Sequence, residues 1–261
     1  MLSNNQVKYI NSLKIKKFRL QHKAFIVEGE KSVGELFGSP LLPLQVYATS
    51  DWLDTNWSRL KSKKTEVQEI TEEELNKVSD LVTPNKVLAI VGIPETELPE
   101  PGGKPEMILA LDGIRDPGNM GTMIRTADWF GISRIICSTD SVDVYSPKVV
   151  QATMGSFSRV KILYTNLVSF FGELPPDIPV FGALLKGPDI TQKTFTRPGI
   201  ILIGSESHGI SGSLIPFINE PLHIPGFAVS GSKNHAESLN ASIANGIICY
   251  EICKQLSKKY F

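Results

Sequence analysis

The sequence predicts an α/β protein built as two α/β parts, the second around a parallel sheet. Three observations carry that prediction. Short apolar runs alternate with helical patterns along most of the chain. In the second part those runs are unbroken Ile, Leu and Val, the pattern of strands covered on both faces. Between the parts lies PETELPEPGGKP, 94–105, whose four prolines and two glycines give it linker composition. The expected division is therefore 1–93, a linker at 94–105, and 106–261.

In the first part the pattern predicts a helix at 3–18, a strand at FIVEG (25–29), a helix at 30–37 and a strand at QVYAT (45–49). A helical stretch near 51–62 follows, then a short strand VQEI, a helix from Thr71 and a strand LAIVG (88–92). Thr71 with Glu74 forms the S/T-x-x-E pattern of a capping box. The second part predicts strands at MILALDG (107–113), RIICS (134–138), VKILY (160–164), VFGALL (180–185) and GIILIGSE (199–206). Helices fall after Gly118, near 147–156 and near 166–172, and a long one runs through ESLNASIANGIICYEICKQL.

Composition excludes several function classes. The 27 basic and 27 acidic residues cancel, so no global field attracts a polyanion. Locally, residues 1–23 carry Lys8, Lys14, Lys16, Lys17, Arg19 and Lys23 with no acid, a patch able to meet phosphates. Three cysteines, sparse and odd in number, make no disulfide framework, and no histidine pairs with a cysteine at zinc spacing. A metal is not expected. The apolar runs are too short to span a membrane, and the N-terminus lacks a signal-peptide core, so the expected location is cytoplasmic.

Two apparent motifs carry little. GSESHG at 204–209 departs from G-x-S-x-G, and Ser207 and His208 are chain neighbours, a poor arrangement for a nucleophile and its base. No phosphate-binding glycine loop follows the first strand. The informative feature is a repeated one. The strand ends at Leu111, Ile203 and Ile224 are each followed by glycine or polar residues: Asn119, then Glu206, then Ser238 and Asn240. Parallel sheets bind ligands at that edge. Asparagine and serine also cap helices, so each residue alone has a bland reading.

LDGIRDPGNMGTMIRTADWFG, LIGSESHGIS and IPGFAVSGSKNHAESLNASIANGI, in that order, resemble the three motifs of the SpoU (TrmH) family, and SPKVVQATMGSFSRV between the first two is also similar. The family comprises RNA ribose 2′-O-methyltransferases of the SPOUT class. RLQHKAFIVEGEKSVGEL resembles the family's N-terminal substrate-binding domain, whose fold is related to a ribosomal protein. The resemblance implies a deep trefoil knot binding S-adenosylmethionine, and a homodimer paired through knot-region helices. It implies Arg125 as the catalytic arginine, with Asn119, Glu206, Ser238 and Asn240 as the other signature polar residues. The implied cofactor loops hold Ala183, Leu184, Gly204, Ser205, Glu206, Leu222, Ile224, Pro225, Ser238 and Leu239.

The expected reaction is methyl transfer to a ribose 2′-hydroxyl of structured RNA, with ribosomal RNA preferred to transfer RNA. The alternative is an RNA- or cofactor-binding protein without turnover. Lys14, Lys16, Lys17, Arg19 and Lys23 become the expected RNA contacts. The chain departs from the family in the connection GFAVSGSKNHAE, 226–237, which is longer than usual and carries Lys233, so a lid ordered by RNA is expected there.

Overall fold

The computed structural model describes residues 1–61, 65–83, 85–97, 106–226, 236 and 238–260. Of the expected linker, residues 98–105 lie outside them. The chain forms two compact units. One holds Met1–Glu95 and Asp143–Arg159, the other Thr96–Val142 and Val160–Phe261. The segment Asp143–Arg159, which the sequence division leaves in the second part, thus packs with the first.

The first unit runs α1 (Asn4–Ser12), α2 (Lys16–His22), β1 (Ala24–Glu28), α3 (Glu30–Leu36), β2 (Pro43–Ala48), α4 (Ser50–Lys61), β3 (Glu66–Glu69), α5 (Glu72–Asn76) and β4 (Val87–Gly92). Its sheet has the order β1-β4-β2-β3, with β2 and β3 parallel and the other pairs antiparallel. Alternate residues bury against opposite layers. Phe25, Val27, Val46, Ala89 and Val91 meet α3 and α4 through Val33, Leu36, Trp52 and Leu60. Ile26, Tyr47, Leu88 and Ile90 meet Ile10, Leu13 and Leu75. The capping box at α5 forms as expected, with Thr71 and Glu74 exchanging bonds of 3.2 and 3.1 Å.

The single helix expected at 3–18 is two helices. Ile15 is extended between them (φ −103°, ψ 128°), and the Leu13 carbonyl accepts the Arg19 guanidinium at 2.8 Å in place of a continuing helical N–H. Arg19 is only 3% exposed and pairs with Asp143 at 2.6 Å. Its expected role as an RNA contact is therefore corrected: a basic cluster reads as a solvated face, but this arginine is spent inside the unit. The same segment supplies Val150 and Phe157 to the core, and Tyr145 and Phe157 lie against Phe25 with ring centroids 4.7 and 5.7 Å away.

The second unit adds β5 (Ile108–Asp112), α6 (Pro117–Trp129), β6 (Arg134–Ser138), β7 (Lys161–Thr165), α8 (Leu167–Gly172), β8 (Val180–Ala183), β9 (Ile200–Gly204), β10 (Glu220–Leu222) and α9 (Ala241–Tyr260); the first unit's helix Pro147–Ala152 is α7. The sheet is parallel throughout, in the order β10-β8-β9-β5-β6-β7. Ile108, Ala110, Ile136, Ile200 and Leu202 face α8 through Leu167, Phe170 and Phe171. The alternate residues Leu109, Leu111, Ile135, Ile201 and Ile203 are equally buried on the other side, where α6 and α9 pack. The chain winds from β5 outward through β6 to β7, then crosses to β8, so the winding reverses between β5 and β9. Such a switch point opens a crevice at the strand ends. β10, three residues long with Pro221 inside it, forms the edge and stops two residues short of the strand end expected at Ile224.

All three cysteines are free and buried, and burial pushes each thiol up, that of Cys253 to about 11.

Phe157→Ala removes a core aromatic from the first unit although residue 157 lies far along the chain. It is expected to lower stability by about 3–5 kcal/mol in urea unfolding. A loss within experimental error would show that the segment does not contribute to that core.

Candidate active site

The loops after β5 and β9 flank the switch point. Asp116 caps α6, accepting the backbone N–H of Asn119 at 2.8 Å, and Pro117 takes the first helical position. Asn119 therefore sits in the first turn of α6. Its side chain is free to face outward. Nδ2 donates to Glu206 Oε1, and Oδ1 accepts from Asn240 Nδ2 at 3.0 Å. Asn240 Oδ1 in turn accepts from Ser242 N (2.9 Å), Ser242 Oγ (2.7 Å) and Ile243 N (3.3 Å), which makes Asn240 the cap of α9.

These bonds form a directed chain: Ser242 hydroxyl to Asn240, Asn240 to Asn119, Asn119 to Glu206. Both ends fix the direction. A carboxylate only accepts, so Asn119 must turn its amide nitrogen to Glu206. Helix N–H groups only donate, so Asn240 must turn its oxygen to α9. Neither amide can flip without losing two bonds.

The Glu206 turn is shaped by close packing. Gly204 ends β9 against the backbone of Gly209 and Ile210; a Cβ there would lie 2.0 Å from the Gly209 carbonyl carbon, so only glycine fits. Ser205 and Gly209 exchange backbone bonds of 3.1 and 2.8 Å. Ser207 Oγ and His208 Nδ1 do meet, at 2.7 Å, but both are exposed and no carboxylate orients the ring among the described residues.

Arg125 is exposed on α6 and has no partner among the described residues. It lies six residues beyond Asn119, about 9 Å along the axis. Long helical side chains lean toward the N-terminus.

The other predicted loops gather at the neighbouring strand ends. Leu184 N donates to Leu222 O at 2.8 Å, joining the exits of β8 and β10, and His223 N donates to Pro188 O at 2.9 Å. Ala183, Leu184, Ile224 and Pro225 are half-buried, while Ser238 and Leu239 are exposed just before the α9 cap. The result is a run of backbone groups and aliphatic side chains beside the Glu206 turn. That donor set suits an adenosine-bearing cofactor, whose ring needs apolar contact and main-chain hydrogen bonds. Among the described residues no group of His, Cys, Asp or Glu could hold a metal ion. The expected lid lies outside the described residues except at 226 and 236.

A model of the SpoU rRNA Methylase family matches residues 106–250. The chain belongs to the SpoU rRNA methylase family. A model of the MRM3-like substrate binding domain matches residues 4–89. The 23S rRNA (guanosine(2553)-2′-O)-methyltransferase RlmP of Bacillus subtilis is 28% identical over 254 residues, 95% of this chain and 96% of its own length. Among solved structures, a TrmH-family protein from Porphyromonas gingivalis is 36% identical with a TM-score of 0.81, covering 97% of this chain and 98% of its own. An AdoMet-bound rRNA methyltransferase from Sinorhizobium meliloti is 28% identical with a TM-score of 0.83, covering 98% and 97%. The α/β architecture with its parallel sheet is thus shared along nearly the whole chain.

Several features of the SpoU site were not read from the sequence. Asp116 was legible, since an Asp followed by Pro is a helix-start signal. Ser242 was not, although its partner Asn240 is only two residues away, and neither was the joining of three loops, whose bonds span 87 and 121 residues.

Asn240→Ala removes the α9 cap and is expected to cost about 0.5–2 kcal/mol in chemical denaturation. Asn240→Asp keeps the accepting oxygen and should cost much less. Equal losses would mean that the oxygen does not serve as the cap.

Proposed function

We propose that the chain transfers a methyl group from S-adenosylmethionine to a ribose 2′-hydroxyl of RNA, with ribosomal RNA preferred to transfer RNA. The observation that carries this reading is the directed chain from Ser242 to Glu206 at the switch point, in a SpoU methylase fold whose helix α6 also carries the exposed Arg125, with no partner among the described residues. When bound, the cofactor supplies an electrophilic methyl group on a good leaving group. The residues that would hold it are Ala183, Leu184, Gly204, Ser205, Glu206, Leu222, Ile224, Pro225, Ser238 and Leu239. We infer that the same region is knotted, as the family resemblance implies.

Each polar residue then has a physical task. A guanidinium keeps its proton in proteins, so Arg125 serves as a cation. It grips the phosphate beside the target ribose and stabilises the oxygen as negative charge develops there. The hydroxyl proton leaves to phosphate or water. Glu206, held on one oxygen by Asn119, presents its other oxygen to a substrate donor or to Arg125. Asn119 and Asn240 keep that carboxylate aimed, and holding the reacting groups in place can lower a barrier by roughly 7–11 kcal/mol.

In the first unit, Lys16, Lys17 and Lys23 are exposed and are our proposed RNA contacts. Lys14 is partly committed, with its ammonium on Asp80 at 2.9 Å. RNA would be met by shape and by its 2′-hydroxyls. No helix among the described residues is long and apolar enough to cross a membrane. Free buried thiols suit a reducing compartment, and we place the reaction in the cytoplasm.

We also infer a homodimer. Ile243, Ile247 and Tyr250 stand exposed at i, i+4 and i+7 on α9, and Trp129 at the end of α6 is 84% exposed. Phe130 touches Tyr250, with ring centroids 6.5 Å apart, so the two helices present one apolar surface. Ile247→Glu is expected to halve the mass measured by light scattering. A wild-type monomer at micromolar concentration would refute the dimer.

The reaction is tested with methyl-labelled S-adenosylmethionine and separate pools of unmodified ribosomal and transfer RNA. Label in the ribosomal pool, resistant to alkali at the modified linkage, is expected; Arg125→Ala should reduce it at least about 100-fold. Cofactor binding with no label in either pool, nor in ribosomal particles, would favour a binding protein without turnover.

A further inference from the structure

Asp112 ends β5, just before the turn into α6. It is 6% exposed, and its Oδ2 accepts the backbone N–H of Ser211 at 2.7 Å. In the sheet it lies opposite Gly204, the last residue of β9. Ser211 closes the loop that opens at Gly204 and carries Glu206. One side chain thus ties the far end of the Glu206 loop to the strand leading to Asn119. The near end is fixed independently, by the Gly204 packing and the Ser205–Gly209 bonds.

The choice of an acid is informative. Burying a carboxylate is costly unless it is well paired, and among the described residues no cation pairs with Asp112. A neutral amide could accept the same N–H with less desolvation. What the carboxylate adds is a charge-assisted bond, roughly twice as strong as a neutral one. Strength at this point matters because Glu206 must meet Asn119, which stands on the other side of the switch point. Asp112 itself points its bond at Ser211, not at the Asn119–Glu206 pair.

We propose that Asp112 is a positioning residue. Through Ser211 it fixes the loop that presents Glu206 to Asn119, and so the geometry of the reacting site. The proposal rests on the methyl-transfer reading above. Its test combines steady-state kinetics with hydrogen exchange at the amides of residues 206–211, comparing wild type, Asp112→Asn and Asp112→Ala. Asp112→Ala is expected to lower kcat about 100-fold, the scale of a 1 Å misplacement, with KM for RNA changed less than about threefold. The 206–211 amides should exchange faster while the rest of the sheet stays protected. Asp112→Asn, which keeps an acceptor, should recover about tenfold of the lost rate.

Combining Asp112→Ala with Glu206→Gln should cost little more than Glu206→Gln alone, since the tie acts through that residue. A folded Asp112→Ala protein with unchanged kcat and unchanged exchange would overturn the proposal. So would a loss confined to KM, or an Asp112→Asn rate as low as that of Asp112→Ala. Should Asp112→Ala fail to fold, Ser211→Pro removes the same N–H from the other side and is read by the same criteria. Wild-type protein that methylates no RNA would sink the methyl-transfer reading, while the exchange of the 206–211 amides would still decide the tie.

Discussion

The hydrogen-bond chain from Ser242 to Glu206 can run in only one direction, and the site depends on that. Its two amides are oriented by groups that have no choice: helix N–H donors at one end, a carboxylate at the other. A side-chain amide whose two faces are equivalent could settle either way round. Here the direction is written into the capping of α9 and into the acid after β9. The structural task of starting a helix and the chemical task of aiming a carboxylate are performed by the same atoms of Asn240.

The parallel sheet explains why three distant stretches meet. All six strands end at one edge, so loops separated by about a hundred residues arrive side by side. Their residues need not be close in sequence, only equivalent in position at a strand end. Gly204 illustrates the local requirement. Its neighbour backbone comes so near that no side chain fits, and that closeness turns the chain tightly enough to expose Glu206.

The strands and helices around the site were legible because their signals are local: unbroken aliphatic runs, a capping box at Thr71, a Gly- and Pro-marked helix start. The polar residues Asn119, Glu206 and Asn240 were legible from their motifs, but not that they bond to one another. The failures share a cause. Arg19 sits among lysines and reads as solvent-exposed, yet its partner Asp143 is 124 residues away. The break between α1 and α2 depends on that same arginine capturing the Leu13 carbonyl. Asp112 looks like an ordinary strand terminus until Ser211 is placed beside it. Long-range pairing leaves no periodicity in a sequence, so burial of a charged group is where a local reading goes wrong.

The membership of Asp143–Arg159 in the first unit bears on the order in which the protein can be made. Domains emerging from the ribosome commonly fold as they appear, from the N-terminus onward, at about 5–20 residues per second. The first unit cannot do so completely. When residue 95 has been added, the buried Arg19 still lacks its carboxylate and Phe25 still lacks Tyr145 and Phe157. Those partners arrive only after β5, α6 and β6 have been synthesised, a wait on the order of seconds. During that interval a buried-charge site stands open and an aromatic core is unfinished. The nascent chain therefore has a vulnerable stage that the finished molecule conceals, and cutting the gene at the apparent linker would make that stage permanent.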